Sequence, residues 1–257
     1  MKLLSWRLAG IGALLIAAGG MAHAEEVNAT FVAPVFKLGN NTIATGQVSE
    51  NADGSFTMSG NDGSQDRGWV LGWNLNVDYD PFINGTLSLT NFTASDHDYT
   101  LVLDLPVPAF GPSSVYGGSL TATVFDDNGN SSAVLKHSAG SLSIYQGTID
   151  EIGVLNLFPD ISCGGSGPNC SVTFTDQAGL PGPTIPGPGV NGHIGTILKF
   201  NLSAGDRVVF NTNFTVNPVS AVPLPASVWM LIAALGCMSY FFGANSRMRS
   251  VIHPHHG

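Results

Sequence analysis

A recurring alternation of apolar and polar side chains limits what this chain can fold into. From Trp69 to Tyr79 every odd position carries a large apolar side chain, whereas from Gly72 onward the even positions are Gly, Asn and Asp. Successive side chains of a strand point to opposite faces, so this pattern predicts a strand with one buried face. The same period recurs from Tyr99 to Leu105, from Ile194 to Leu202 and from Val208 to Val216.

Turn-forming sequences separate these stripes. They are rich in Asn, Asp and Gly, which tolerate the backbone angles of tight turns, and they lie at Asn51 to Gly54, Asn61 to Gly63, Asp127 to Asn130 and Ser203 to Asp206. Many short strands with turns about every 8–12 residues predict an all-β fold, an antiparallel β-sandwich or jelly roll. A closed barrel is the alternative.

Two proline-rich stretches interrupt the pattern. The segment from Leu180 to Gly189 contains four prolines, which cannot donate ladder hydrogen bonds, so we predict a long irregular loop there. In the segment from Leu105 to Pro112 three prolines follow an apolar stripe. We expect this second stretch to end one strand and to lead the chain into the other sheet.

The first 24 residues have the composition of a secretory signal peptide. Lys2 and Arg7 form a basic start, an apolar run follows from Leu8 to Ala18, and Ala22 and Ala24 bracket His23 in an A-x-A cleavage site. We therefore predict export through the Sec translocon with cleavage after Ala24. The folded ectodomain is expected to span residues 25–217, which is enough chain for one sizeable domain.

The C-terminal region, residues 218–257, contains a segment long enough to cross a membrane. The run from Val228 to Ala244 has no charged residue and would span roughly 25 Å as a helix, near the lower limit for a hydrocarbon core. Trp229 stands at one end, and Arg247 and Arg249 follow in a basic tail, residues 245–257. The positive-inside rule then places the tail in the cytoplasm and the ectodomain outside.

The order of these C-terminal features resembles a known sorting signal. A Pro-rich motif precedes the apolar run and the basic tail, and it consists of Val222, Pro223, Leu224, Pro225, Ala226 and Ser227. This arrangement is similar to the PEP-CTERM signal in its VPLPA-type variant, which exosortase-type membrane proteases of Gram-negative bacteria recognise. The resemblance implies a precursor anchored in the inner membrane, cleavage by an exosortase, and a final location in the cell envelope or outside the cell.

The resemblance extends into the ectodomain. Gly72-Trp73-Asn74 leading to Asp78-Tyr79-Asp80-Pro81-Phe82, then Thr90-Asn91, and late in the chain Leu202 to Asp206 look like a recurring all-β ectodomain of PEP-CTERM proteins. What this implies is a secreted structural or adhesive domain. It supplies no catalytic residues.

Charge and cysteine content agree with an exported domain. All 18 carboxylates precede Val222, so a nucleic-acid partner, which requires basic surface, is not expected. Cys163 and Cys170 enclose a short loop without His or Asp, and in an oxidising compartment such a pair is predicted to form a disulfide. Cys237 lies within the apolar run. We expect no cofactor.

Candidate catalytic or metal-binding residues are few. Asp126, Asn128 and Asn130 alternate like the start of a calcium loop, but position twelve is His137 rather than Glu. A hairpin turn is the favoured interpretation. His97 between two aspartates is interpreted in the same way, as a polar turn, and Asp78 and Asp80 as a solvated strand end rather than a glycosidase pair.

Three aromatic side chains leave two functions open. Trp69, Trp73 and Tyr79 lie on one predicted strand face, where they fill a core or form a platform for sugars. Burial is the favoured interpretation. The first hypothesis is a non-enzymatic exported protein of the envelope, extracellular matrix or biofilm, with exopolysaccharide as a potential partner. The alternative is a carbohydrate-binding or carbohydrate-active β-sandwich.

Overall fold

The protein, in a computed structural model, is described for residues 33–158, 160–164 and 169–219. The predicted signal peptide with Ala22 and Ala24, the sorting motif 222–227, the predicted membrane segment 228–244, and Arg247 and Arg249 lie outside the described residues. Within the described ranges the structure is all β apart from one short 3-10 helix, Gln65–Arg67.

In the part of the chain that the structure describes, sixteen strands form two antiparallel sheets of eight strands each. Sheet A consists of β1 (Val35–Leu38), β2 (Asn41–Ile43), β7 (His97–Pro106), β9 (Ser132–His137), β10 (Tyr145–Ile149), β11 (Ile152–Leu157), β12 (Ile161–Gly164) and β15 (His193–Leu202). Sheet B consists of β3 (Gln47–Glu50), β4 (Phe56–Ser64), β5 (Trp69–Asp78), β6 (Phe82–Asn91), β8 (Phe110–Phe125), β13 (Ser171–Ala178), β14 (Ile185–Val190) and β16 (Arg207–Pro218).

The strand order brings distant parts of the chain together. In sheet A the order is β11-β10-β15-β7-β1-β2, with β9 also paired to β15 and β12 to β9. In sheet B it is β13-β8-β16-β6-β5-β4-β3, with β14 also paired to β8. The late strands β15 and β16 are thus central, one in each sheet.

The two sheets pack face to face over an apolar core. In β5 the odd-numbered side chains Leu71, Trp73, Leu75 and Val77 are buried, as the alternation predicts. Aromatic contacts join the sheets: Phe36 of sheet A meets Trp73 of sheet B with ring centroids 5.2 Å apart. Phe200 and Phe210 make a second such contact at 5.1 Å. The β-sandwich prediction is confirmed.

Two predictions about where strands and loops lie along the chain were wrong. The proline-rich segment predicted as a loop contains strand β14, which pairs with β8 through residues that include Pro186 and Pro188. Proline is tolerated there because β14 lies at the edge of its sheet. The predicted turn at Asn61 to Gly63 instead continues β4, whose pairing with β5 extends to Ser64 and Trp69. The chain reverses in the 3-10 helix that follows, ended by Gly68 in the left-handed conformation (φ 79°).

The second proline-rich stretch and the cysteine pair agree with the predictions. The chain leaves sheet A at Pro106 and enters sheet B at Phe110, as expected for the second proline-rich stretch. Cys163 and Cys170 form the predicted disulfide, with Cα atoms 6.0 Å apart. It ties the end of β12 to the start of β13, and therefore links a strand of sheet A to one of sheet B.

Candidate functional site

An open cleft surrounds the indole of Trp69, the first residue of β5. Two adjoining cavities of about 650 Å³ and about 230 Å³ share Asn40, Asn41 and Trp69 in their walls. The cleft therefore lies between the β1–β2 turn of sheet A and the β4–β5 connection of sheet B.

The position of the Trp69 indole depends on the glycine opposite it. A β-carbon added to Gly63 would lie 2.6 Å from Trp69 Cε3, so the ring packs directly over the glycine backbone. Gly63 has a φ of 102°, a conformation that favours glycine. The glycine of the local sequence Asn-Asp-Gly thus leaves room for the indole, although this sequence does not form the predicted turn.

Polar groups of several kinds border the larger cavity. The guanidinium Nη1 of Arg67 donates to Oδ1 of Asp62 at 3.2 Å, and this carboxylate also accepts the backbone N–H of Gly63 at 2.6 Å. Asn40, Asn41 and Thr42 face them. Amides, a hydroxyl and a neutralised ion pair around an aromatic ring offer donors and acceptors without net charge.

The smaller cavity adds the start of β7 to the cleft. It is lined by Leu38, Gly39 and residues 97–100. Tyr99 is buried, and its hydroxyl donates to Asn91 Oδ1 at 3.1 Å. Burial raises the pKa of Tyr99 to about 12, so the phenol stays neutral and acts as a fixed donor.

The three aromatic residues predicted as a core or a platform have different environments. Trp73 is only 6% exposed, its indole N–H donates to the Thr45 carbonyl at 3.1 Å, and Phe36 packs against its ring. Tyr79 is half-buried and packs edge-on against Phe56. Trp73 therefore belongs to the core, and Trp69 is the one of the three that borders the cleft.

The loop considered for calcium is occupied by backbone donors. The Asp126 side chain is 2% exposed, and its two oxygens accept the N–H groups of Gly129, Asn130, Ser131 and Asn169. The side-chain oxygens of Asn128 and Asn130 likewise accept the N–H groups of Asn130 and Ser132. These are the hydrogen bonds of a structured turn. The turn joins β8 of sheet B to β9 of sheet A, two strands that are not paired with each other, so it connects the sheets and is not the predicted hairpin.

The remaining candidate residues do not converge. The two aspartates that flank His97 in sequence contact different residues. Oδ2 of Asp96 lies 3.9 Å from Nζ of Lys136, and Oδ1 of Asp98 accepts a hydrogen bond from Nδ2 of Asn201 at 3.1 Å. Asp78 accepts the backbone N–H of Asp80 at 3.0 Å, as in a turn. Within residues 33–158, 160–164 and 169–219, no group of three or more His, Cys, Asp or Glu side chains could hold a metal ion.

Two His–Asp pairs were not predicted, because their partners are far apart in sequence. His137 Nδ1 lies 2.7 Å from Asp160, and His193 Nδ1 lies 3.0 Å from Asp104. Burial raises the pKa of Asp104, and the neighbouring His193 opposes that rise. The cleft residues Asn40, Asn41, Asp62 and Arg67 were missed for the same reason, since only the folded sandwich brings them to Trp69.

Comparison of the sequence with protein-family models and with curated proteins finds no match. Among the described residues, no helix has the length and apolar character needed to cross a membrane.

Proposed function

We propose that this chain is a non-enzymatic exported protein that contributes to the cell envelope or extracellular matrix. In this proposal the Sec translocon exports the chain, an exosortase-type protease cleaves the signal in residues 218–257, and the β-sandwich is the mature functional part. The Cys163–Cys170 disulfide is the observation that carries the proposal, because such bonds persist in oxidising, extracytoplasmic compartments. The two terminal signals of the sequence support it.

Intact mass spectrometry of material from the cell surface tests the sorting step. We expect a species that begins at Glu25 and lacks residues 228–257, because Pro223 and Pro225 favour an extended, protease-accessible backbone next to the membrane segment. A strain without the exosortase is the control and should accumulate the uncleaved precursor. Mature protein that retains Arg247 and Arg249 in exosortase-competent cells would instead indicate a simple membrane anchor.

A second candidate function is carbohydrate binding, and the cleft around Trp69 favours it. A half-buried indole that contacts Gly63 and borders the cleft provides an aromatic surface for a sugar ring. The surrounding amides and the Asp62–Arg67 pair can exchange hydrogen bonds with sugar hydroxyls. An exported matrix protein with such a cleft would bind polysaccharide rather than cleave it.

Substitution of Trp69 tests the second function. Trp69→Ala should abolish retention on a glycan array, whereas Trp69→Phe, which keeps an aromatic face, should retain part of it. Phe174→Ala removes an exposed aromatic side chain of β13 that does not line either cavity, and it is the matched control. Equal binding by wild type and Trp69→Ala would remove the cleft from consideration.

A further inference from the structure

The outer face of sheet B presents two parallel rows of short, uncharged polar side chains. Strand register places residues of six neighbouring strands, β4, β5, β6, β16, β8 and β13, side by side across the sheet. One row consists of Ser59, Asn74, Thr86, Asn211, Thr121 and Thr175.

The second row runs beside the first, two residues further along each strand. It consists of Thr57, Asn76, Asn84, Asn213, Ser119 and Gln177. All twelve residues are exposed or half-buried. With strands about 4.8 Å apart, each row extends roughly 24 Å, and the rows are about 7 Å apart. We call these two rows the neutral face.

The absence of charge from the neutral face contrasts with the opposite side of the same sandwich. The three lysines within the described ranges, Lys37, Lys136 and Lys199, all lie on the outer face of sheet A, together with Asp98 and Asp104. The chain has 18 carboxylates, yet the neutral face contains none. On the outer face of sheet B, charged side chains lie beyond the two rows, at Asp78 of β5 and Arg207 of β16. The contrast with sheet A therefore concerns the two rows and not the whole outer face of sheet B.

Side-chain hydrogen bonds hold parts of the neutral face in place before any partner arrives. Thr86 Oγ1 donates to Asn211 Oδ1 at 2.7 Å, and the hydroxyls of Thr121 and Thr175 are 2.8 Å apart. Short side chains that are already oriented lose little conformational entropy on binding. This surface is therefore suited to weak, repeated contacts along an extended partner.

We propose that the neutral face binds an extended, uncharged polysaccharide. Charge complementarity selects this occupant, because the two rows contain no charged group to pair with an anionic or a cationic polymer. Each of their side chains carries hydroxyl or amide groups that donate and accept, as sugar hydroxyls do. The proposal deepens the proposed matrix function by naming a partner class, but its binding surface is separate from the Trp69 cleft.

Affinity electrophoresis of the full chain tests the proposal with polymers that differ in charge. The probes are hydroxyethyl cellulose, dextran and the neutral polysaccharide fraction of the producing culture, with carboxymethyl cellulose as the anionic counterpart. We expect retardation by at least one neutral polymer and little by carboxymethyl cellulose. If none of the neutral polymers retards the protein, or if carboxymethyl cellulose retards it more strongly than they do, the proposal is wrong.

A charge-matched pair of variants locates the surface. Asn74→Asp with Asn211→Asp places two carboxylates in the neutral face and should weaken retardation at least tenfold. The control variant, Asn156→Asp with Ser162→Asp, adds the same charge at exposed positions of sheet A. It should change the retardation by less than twofold. Thermal melts show whether each variant is folded.

Two further outcomes separate this proposal from the others. If Trp69→Ala abolishes polymer binding and the Asn74/Asn211 variant does not, the cleft is the binding site and the neutral face is not. If the Asn74/Asn211 variant instead lowers the sedimentation coefficient, the face joins two copies of the chain, and the polysaccharide proposal is wrong. Cell fractionation tests export independently. If the protein proved not to be exported, the proposed function would be wrong, but the polymer-binding result would stand.

Discussion

The indole of Trp73 lies against the backbone of Gly60 on the neighbouring strand, so closely that a β-carbon on Gly60 would be 2.6 Å from Trp73 Cζ2. The contact forms one wall of the core, because Phe36 of sheet A packs against the same indole. Glycine at position 60 is therefore required by its small size, since its φ is not in the left-handed region.

Gly60→Ala tests this contact. The added methyl group would force the Trp73 ring to move, and overpacking of this kind costs about 1–3 kcal/mol. Gly72→Ala is the matched control, since its nearest neighbour would be 3.9 Å away, and its effect should stay within about 0.5 kcal/mol. Urea unfolding of both variants measures the difference, and equal stabilities would contradict the packing described.

Trp73→Ala should destabilise the domain by about 3–5 kcal/mol, because it empties a large volume at the interface between the sheets and leaves the Thr45 carbonyl without its donor. Trp69→Ala is the comparison, since that indole is only half-buried, and it should cost less. A thermal melt in which Trp73→Ala behaves like wild type would show that this indole is not part of the core.

The strands were predictable because the pattern that identifies them is local. Alternation along Trp69 to Tyr79 specifies one buried face whatever the neighbouring strands are. The cleft depends on which turn of sheet A meets Trp69, and the neutral face depends on the register of Asn74 with Thr86 and Asn211. Register is a tertiary property, so neither surface could be derived from the sequence. The strand at Pro186 was missed because edge position is likewise set by the assembled sheet.

Asp126→Asn should destabilise the protein by about 2–4 kcal/mol. The native carboxylate accepts four backbone N–H groups, and an amide can offer only one oxygen to them while its NH₂ group opposes the others. Asp127→Asn is the control, because this carboxylate is partly exposed and pairs with Arg207 at the surface, an interaction worth up to about 1 kcal/mol. Urea unfolding compares the two.

Calcium provides a second test of the same loop. Since the oxygens of Asp126, Asn128 and Asn130 already accept backbone N–H groups, the melting temperature should be the same in calcium and in EDTA. A substantial increase with calcium would show that the loop rearranges to bind the ion.

Replacement of both Cys163 and Cys170 by Ser should cost about 2–3 kcal/mol, as expected for a bridge that closes a short loop. The neighbouring contacts persist, because Asp126 N–H donates to the Cys170 carbonyl at 2.9 Å and the Asn169 N–H donates to Asp126. The double variant should therefore still fold. Thiol labelling of unreduced, denatured wild-type protein is the companion measurement, and two alkylated thiols would rule the bond out.

The buried carboxyl of Asp206 should make stability depend on pH. Asp206 is fully buried in the β15–β16 turn, the hydroxyl of Ser203 donates to its Oδ2, and its Oδ1 has no hydrogen-bond partner. Burial raises the pKa of Asp206, and the negative charge of Asp126 raises it further. The folded protein therefore holds this proton at a pH where the unfolded chain, with a pKa of about 3.9, has lost it.

The sign of the effect follows from proton linkage. The stabilisation from this group is complete below the unfolded pKa and is lost as the pH rises through the folded pKa. Asp206→Asn keeps the shape but cannot ionise, so its stability relative to wild type should increase as the pH rises from about 4 toward neutrality. Urea unfolding of both proteins across that range gives the difference directly. The opposite pH trends of other carboxylates, such as the exposed Asp53 and the half-buried Asp150, whose pKa values are lowered, are the same in both proteins and cancel in this difference. A stability difference that does not change with pH would mean that Asp206 is ionised in the folded protein throughout.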